Sequence, residues 1–199
     1  MNAVETIMGH ETEVVTTGSV VSADGTRIGF RRLGRGPSVI LLHGGVNASQ
    51  HMMKLGRALA DVFTVYLPDR RGRGMSGAFG PAYGIRREDE DLAAIVEHTA
   101  AECVFGPANG GLFALHGAIG LGQVRRVAAY EPLLLWGGRD DAAIRSTFTT
   151  MQQMIRGGRL GEAIVFSIHE SVDREVGRGR MSSWVGTAVH AFPSVSGLA

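Results

Sequence analysis

Residues 104 to 111 read VFGPANGG. An apolar strand runs into Gly106, and Gly110 opens a helical pattern after three more residues. This is the frame of a nucleophile elbow, G-x-S-x-G, in which the central residue attacks a carbonyl or similar centre. The central residue here is Ala108, preceded by Pro107. A methyl group has no lone pair to attack with, so the frame predicts the geometry of a reactive bend without its nucleophile. Two other stretches are rich in polar and glycine residues directly after apolar runs: LLHGG at 41–45 and LPDRRGRGMSG at 67–77.

The elements that must position these stretches follow from hydrophobic patterning. EVVTTGSVVSADGTRIGFRRL (13–33) predicts antiparallel strands with Asp24-Gly25 as the turn. SVILL (38–42) and FTVYL (63–67) are continuous apolar runs, as strands buried on both faces require. ECVF (102–105) and RVAAY (126–130) predict two more. Helices are expected over 52–61, behind the acid-rich REDED with Leu92, Ile95 and Val96 on one face, and over 112–119, where the pattern is apolar nearly all round and implies burial. Beyond Tyr130, Ile144, Phe148, Met151 and Ile155 recur at helical spacing and Gly157-Gly158 would end that helix. Further helices are expected over 161–172 and 182–191. Alternating strands and helices imply an α/β fold with a mostly parallel sheet covered on both faces. Ligand sites in such sheets gather at the carboxyl ends of the strands, so the three polar stretches should converge at one edge.

In this order and spacing the stretches resemble the α/β-hydrolase family of serine-hydrolase type, over roughly residues 19 to 135. HGG resembles the family's oxyanion loop, DRRGRGMSG its turn after the next strand, and VFGPANGGLFALHGA the elbow and its helix. The resemblance implies a core over residues 1–136 and a helical cap over 137–199. It also implies an oxyanion hole from the amides of Gly45 and Asn109, which can still bind an acyl oxygen, with His43, Gly44 and Val46 in the substrate-binding loop. For His43 itself a structural role, holding that loop by hydrogen bonds, is the better reading. The implied catalytic acid and histidine would follow strands that this sequence does not contain, so the C-terminal half of the fold is expected to be incomplete. Weak substitutes are Asp140 and Asp141 in LWGGRDD, which otherwise reads as the last strand running into the cap, and His190 in TAVHAFP, which otherwise reads as a cap or tail residue.

The expected function is that of a relative of esterases and lactonases, inactive as written because Ala108 holds the nucleophile position. The alternative is a non-catalytic module that binds a small molecule or a protein on the same scaffold. Asp69 and Arg70 to Arg73 read as a turn with surface salt bridges, ahead of an anion site. Gly72, Gly74 and Gly77 spell G-x-G-x-x-G, but no helix opens behind them, so the dinucleotide reading fails on context. The seven histidines show no zinc-protease spacing, and neither cofactor nor metal is expected. A formal net charge of +1 shows no footprint for nucleic acid or membrane surfaces. The single cysteine, Cys103, reads as a core residue and suits a cytoplasmic setting. No signal peptide or membrane span is expected. An incomplete sheet would leave an unpaired edge and apolar helix faces, so a homo-oligomer or a covering partner is expected.

Overall fold

The computed structural model describes residues 14–133, 139–159, 161–163, 165 and 166. The chain forms two compact units, residues 1–134 and 135–199. In the first, strands β1 (Thr16–Val21), β2 (Arg27–Gly34), β3 (Ser38–Leu41), β4 (Thr64–Pro68), β5 (Cys103–Pro107) and β6 (Arg126–Tyr130) form one sheet in the order β1-β2-β4-β3-β5-β6. The pairings of β3 with β4, β3 with β5 and β5 with β6 are parallel. Those of β1 with β2 and β2 with β4 are antiparallel.

Strict alternation in the central strands splits the core into two layers. Ile40, Leu42 and Val104 pack on one face with Ile28, Phe30 and the apolar stripe Leu92, Ile95 and Val96 of helix α2 (Ile85–Thr99). Val39, Leu41, Val65 and Leu67 pack on the other with Leu33 and Met52, beside helix α1 (Met53–Leu59). Cys103 is half-buried against this second layer. The β1–β2 turn forms where Asp24-Gly25 predicts it. Gly25 takes a φ of 85°, and Asp24 Oδ1 accepts a hydrogen bond from the Thr26 amide at 3.0 Å.

Helix α3 (Asn109–Gly120) departs from the expectation of all-round burial. Only Gly110, Gly111, Ala114 and Gly117 are buried, whereas Ile119 is 86% exposed. Small residues explain this. A methyl added at Gly111 would lie 2.7 Å from the Gly106 carbonyl oxygen, and one at Gly117 would lie 2.8 Å from the Leu92 side chain. The helix therefore touches sheet and α2 along a seam of small residues, with Phe113 partly buried against the core and Ile119 left outside.

In the second unit, helix α4 (Arg139–Arg156) ends at the expected glycine pair. The Gly157 amide donates to the Gln153 carbonyl at 3.0 Å, and Gly158 takes a φ of 75°. Helical turns continue at 161–163 and 165–166, and the helix expected over 182–191 lies outside the described residues. Among the described residues no helix is long and apolar enough to cross a membrane.

Candidate active site

Strand β5 ends at Pro107 and helix α3 begins at Asn109, so the whole reversal falls on Ala108. Its dihedrals, φ 48° and ψ −120°, belong to a region that residues with a Cβ rarely occupy. Backbone hydrogen bonds hold it there. The Ala108 amide donates to the Tyr130 carbonyl at 2.9 Å, and its own carbonyl accepts from Leu112 at 3.1 Å and Leu133 at 3.3 Å. Ala108 as a residue is exposed.

The glycines on either side are there for close approach. A methyl on Gly106 would meet the Gly110 carbonyl carbon and oxygen at 2.3 Å, and one on Gly110 would meet the Leu42 carbonyl oxygen at 2.4 Å. The helix start thus rests directly on the backbone of the loop that follows β3. A methyl built at Gly44 would lie 3.9 Å from Ala108 Cβ, and one at Gly45 would lie 3.6 Å from the Asn109 side chain. Neither the Gly45 nor the Asn109 amide donates to an acceptor within the described residues. For Asn109 this is the ordinary state of a helix's first turn.

His43 is completely buried, and both ring nitrogens are engaged. Nε2 accepts from the Arg70 amide at 3.0 Å, which leaves Nδ1 as the donor to the Gly44 carbonyl at 2.8 Å. Burial, foremost, and the Arg70 charge hold its pKa below the usual histidine value, so the ring is neutral. It joins the loops after β3 and β4 and presents no polar atom to a ligand. Val46 is 77% exposed, and Gly44 is buried beneath the bend. Of these loop residues, Gly45 reaches the cleft.

The DRRGRG segment corrects the expectation of surface salt bridges. Asp69 is fully buried and accepts from the Ser49 amide at 2.6 Å and the Met75 amide at 3.0 Å. Gly74, at φ 44°, sits where a side chain would strike the Asp69 carboxylate. Arg70 grips Glu88 with Nε at 2.9 Å and Nη2 at 2.7 Å, and stacks over Phe113 at 4.3 Å. Arg71, whose side chain is 1% exposed, holds Asp91 at 2.6 Å and Asp24 at 2.8 Å. The hydrogen bonds that Arg71 donates to Asp91, and then to Asp24, raise its pKa further, while the same contact lowers that of Asp24. Burial pushes the Tyr83 phenol up to about 12, helped by its 2.6 Å hydrogen bond to Glu88. Gly72, Gly74 and Gly77 are turn residues of this loop, whose Gly77 amide donates back to Arg27 of β2 at 2.8 Å. No helix opens behind them before Ile85.

These parts enclose a cleft of about 160 Å³ lined by Gly45, Arg70, Arg71, Arg73, Phe79, Tyr83 and Asn109. Phe79, Tyr83, Glu88 and Asp91 were absent from the candidates drawn from sequence. The acids of REDED suggested a helix start, and their partners stand 18 and 20 residues away, beyond any local pattern. Asp140 and Asp141 fall in the first turn of α4, so they do not sit on a strand end as the acid reading required. His190 lies outside the described residues. Among the described residues no group of histidine, cysteine and acidic side chains is arranged to hold a metal ion.

No family model matches the sequence. A curated relative, the pimeloyl-[acyl-carrier protein] methyl ester esterase of Stenotrophomonas maltophilia, is 36% identical over 102 residues, which is 48% of this chain and 36% of the relative. Among solved structures, an α/β hydrolase from Sphaerobacter thermophilus superposes with a TM-score of 0.71 at 32% identity, covering 88% of this chain and 66% of its own. An esterase from Rhodococcus follows at 0.60 and 25% identity, covering 77% of this chain and 59% of its own. An epoxide hydrolase from Mycobacterium thermoresistibile gives 0.58 and 28%, covering 67% and 44%. The chain thus spans about a third of the curated relative and just under two thirds of the Sphaerobacter protein. With the mixed six-stranded sheet and the strained strand-to-helix bend, these likenesses show that the chain has the α/β-hydrolase fold.

Proposed function

We propose that this chain carries the acyl-binding side of an esterase- or lactonase-type hydrolase, with Ala108 in the position from which a nucleophile would attack. As written, it binds an acyl compound and does not turn it over. The observation that carries this reading is the exposed Ala108, held at φ 48° between β5 and α3. The Asn109 amide follows it in the chain and Gly45 lies against the Asn109 side chain; neither amide has an acceptor among the described residues, and both suit an oxygen that gains negative charge. The relatives named as esterases support an ester or lactone as the ligand class. The same absent nucleophile supports the second reading, a non-catalytic binding module on this scaffold.

A thiol at position 108 tests the geometry without needing a histidine base, because a thiolate is intrinsically nucleophilic. In Ala108→Cys, the thiolate attacks the carbonyl of p-nitrophenyl acetate, p-nitrophenolate leaves and a thioester remains. The expected result is one acetyl group on the peptide carrying position 108, formed faster than on free cysteine at the same pH. Acylation no faster than free cysteine refutes the oxyanion assignment. Saturable ester turnover by the unaltered chain refutes its inactivity.

The outer edge of β6 carries no further strand among the described residues, and Tyr130 is 56% exposed there. A second copy of the chain or a covering partner belongs to this proposal, and sedimentation over a concentration series tests self-association. The cytoplasmic setting rests only on the lone Cys103.

A further inference from the structure

The cleft beside Asn109 holds an arginine that no carboxylate among the described residues neutralises. Arg70 is matched by Glu88, and Arg71 by Asp91 and Asp24. Arg73 lines the same cleft and has no carboxylate partner among the described residues. Its Nη2 donates to the Gly45 carbonyl at 3.0 Å and its Nη1 to the Gly72 carbonyl at 3.1 Å, and the guanidinium sits 5.1 Å from the Phe79 ring centroid. These contacts fix its position but leave the charge in place, with about three of its five N–H donors to spare. The neighbouring acid, Asp69, is turned inward on the Ser49 and Met75 amides and does not line the cleft. Tyr83 keeps its proton, so it adds no negative charge that would repel an anion.

Gly45 ties this cation to the bend, since its carbonyl anchors Arg73 while its amide has no acceptor among the described residues. Arg73 Nη2 lies 3.0 Å from the carbonyl oxygen of the same residue whose amide is the proposed acyl-oxygen donor, and both residues line one cleft, so a single ligand can reach both. The Phe79 and Tyr83 rings, 4.7 Å apart, supply an apolar wall for the carbons between. We infer that the cleft takes an acyl compound bearing its own carboxylate, with Arg73 as the carboxylate-binding residue. This rests on the reading of the Gly45 and Asn109 amides as the acyl-oxygen site.

Two probes of nearly equal shape separate the claims. Monomethyl succinate carries the carboxylate at neutral pH, and dimethyl succinate does not. Each is titrated into the ¹⁵N-labelled chain, and the Gly45 and Asn109 amide resonances are followed. Both probes should move these resonances, with the monoester binding about three- to tenfold tighter, as a charge-assisted hydrogen bond at a half-exposed site provides. Arg73→Gln should abolish that preference and Arg73→Lys should restore part of it, with resonances away from the cleft unchanged in both. Equal affinity for the two probes, or a preference that survives Arg73→Gln, overturns the carboxylate assignment while leaving the amide site standing. Failure of both probes to move the Gly45 and Asn109 amides overturns the acyl-oxygen site and the inference with it.

Discussion

Replacing Ala108 with glycine should stabilise the protein. At φ 48° and ψ −120° a residue with a Cβ stores strain of about 1–3 kcal/mol, most of which glycine does not incur. Glycine also loosens the unfolded chain, which costs about 0.4–1 kcal/mol. The burial term is small, because Ala108 is an exposed residue and only one methyl is removed. The backbone bonds to Tyr130, Leu112 and Leu133 involve only main-chain atoms and survive the change. The balance is a gain of about 1 kcal/mol, or roughly 2–4 °C in melting temperature for a chain of this size. Urea titration should show a higher midpoint with an unchanged slope. A lower or unmoved midpoint would show that position 108 is relaxed and that the bend stores no strain.

Gly110→Ala should do the opposite. Its methyl would lie 2.4 Å from the Leu42 carbonyl oxygen and 2.8 Å from that of His43, both fixed backbone, so a loss of about 1–3 kcal/mol is expected in the same titration. His43, buried neutral with its pKa below 6.5, contributes to stability above that pH. As pH falls through 6.5 the unfolded chain takes up the proton first, so unfolding free energy should decline by at most about 1.4 kcal/mol per unit from this ring until its folded pKa is reached. NMR titration of the ring checks this, and a midpoint at or above 6.5 contradicts it.

The central sheet was legible in the sequence because SVILL and FTVYL must bury both faces, and the structure divides Val39 and Leu41 from Ile40 between two core layers. The bend at 108 was legible because glycines at 106 and 110 answer to a backbone contact that leaves no room for any other residue. The ion pairs were not. Nothing local distinguishes an acid that feeds a helix start from one that reaches an arginine across the fold, so Glu88 and Asp91 were read as the former. Helix α3 misled for a related reason: apolar content counts transfer energy but says nothing of how closely glycine lets a helix sit. Ile119, among others, is left outside.

Arg71 joins residues that the chain visits at widely separated times. Asp24, 47 positions earlier, lies in the first hairpin, and Asp91, 20 positions later, lies on α2. The wall of the cleft therefore takes shape only when hairpin, loop and helix have all arrived. During synthesis, any ligand pocket here would wait for α2, and a nascent chain halted before that helix would hold an arginine still lacking its Asp91 counter-ion.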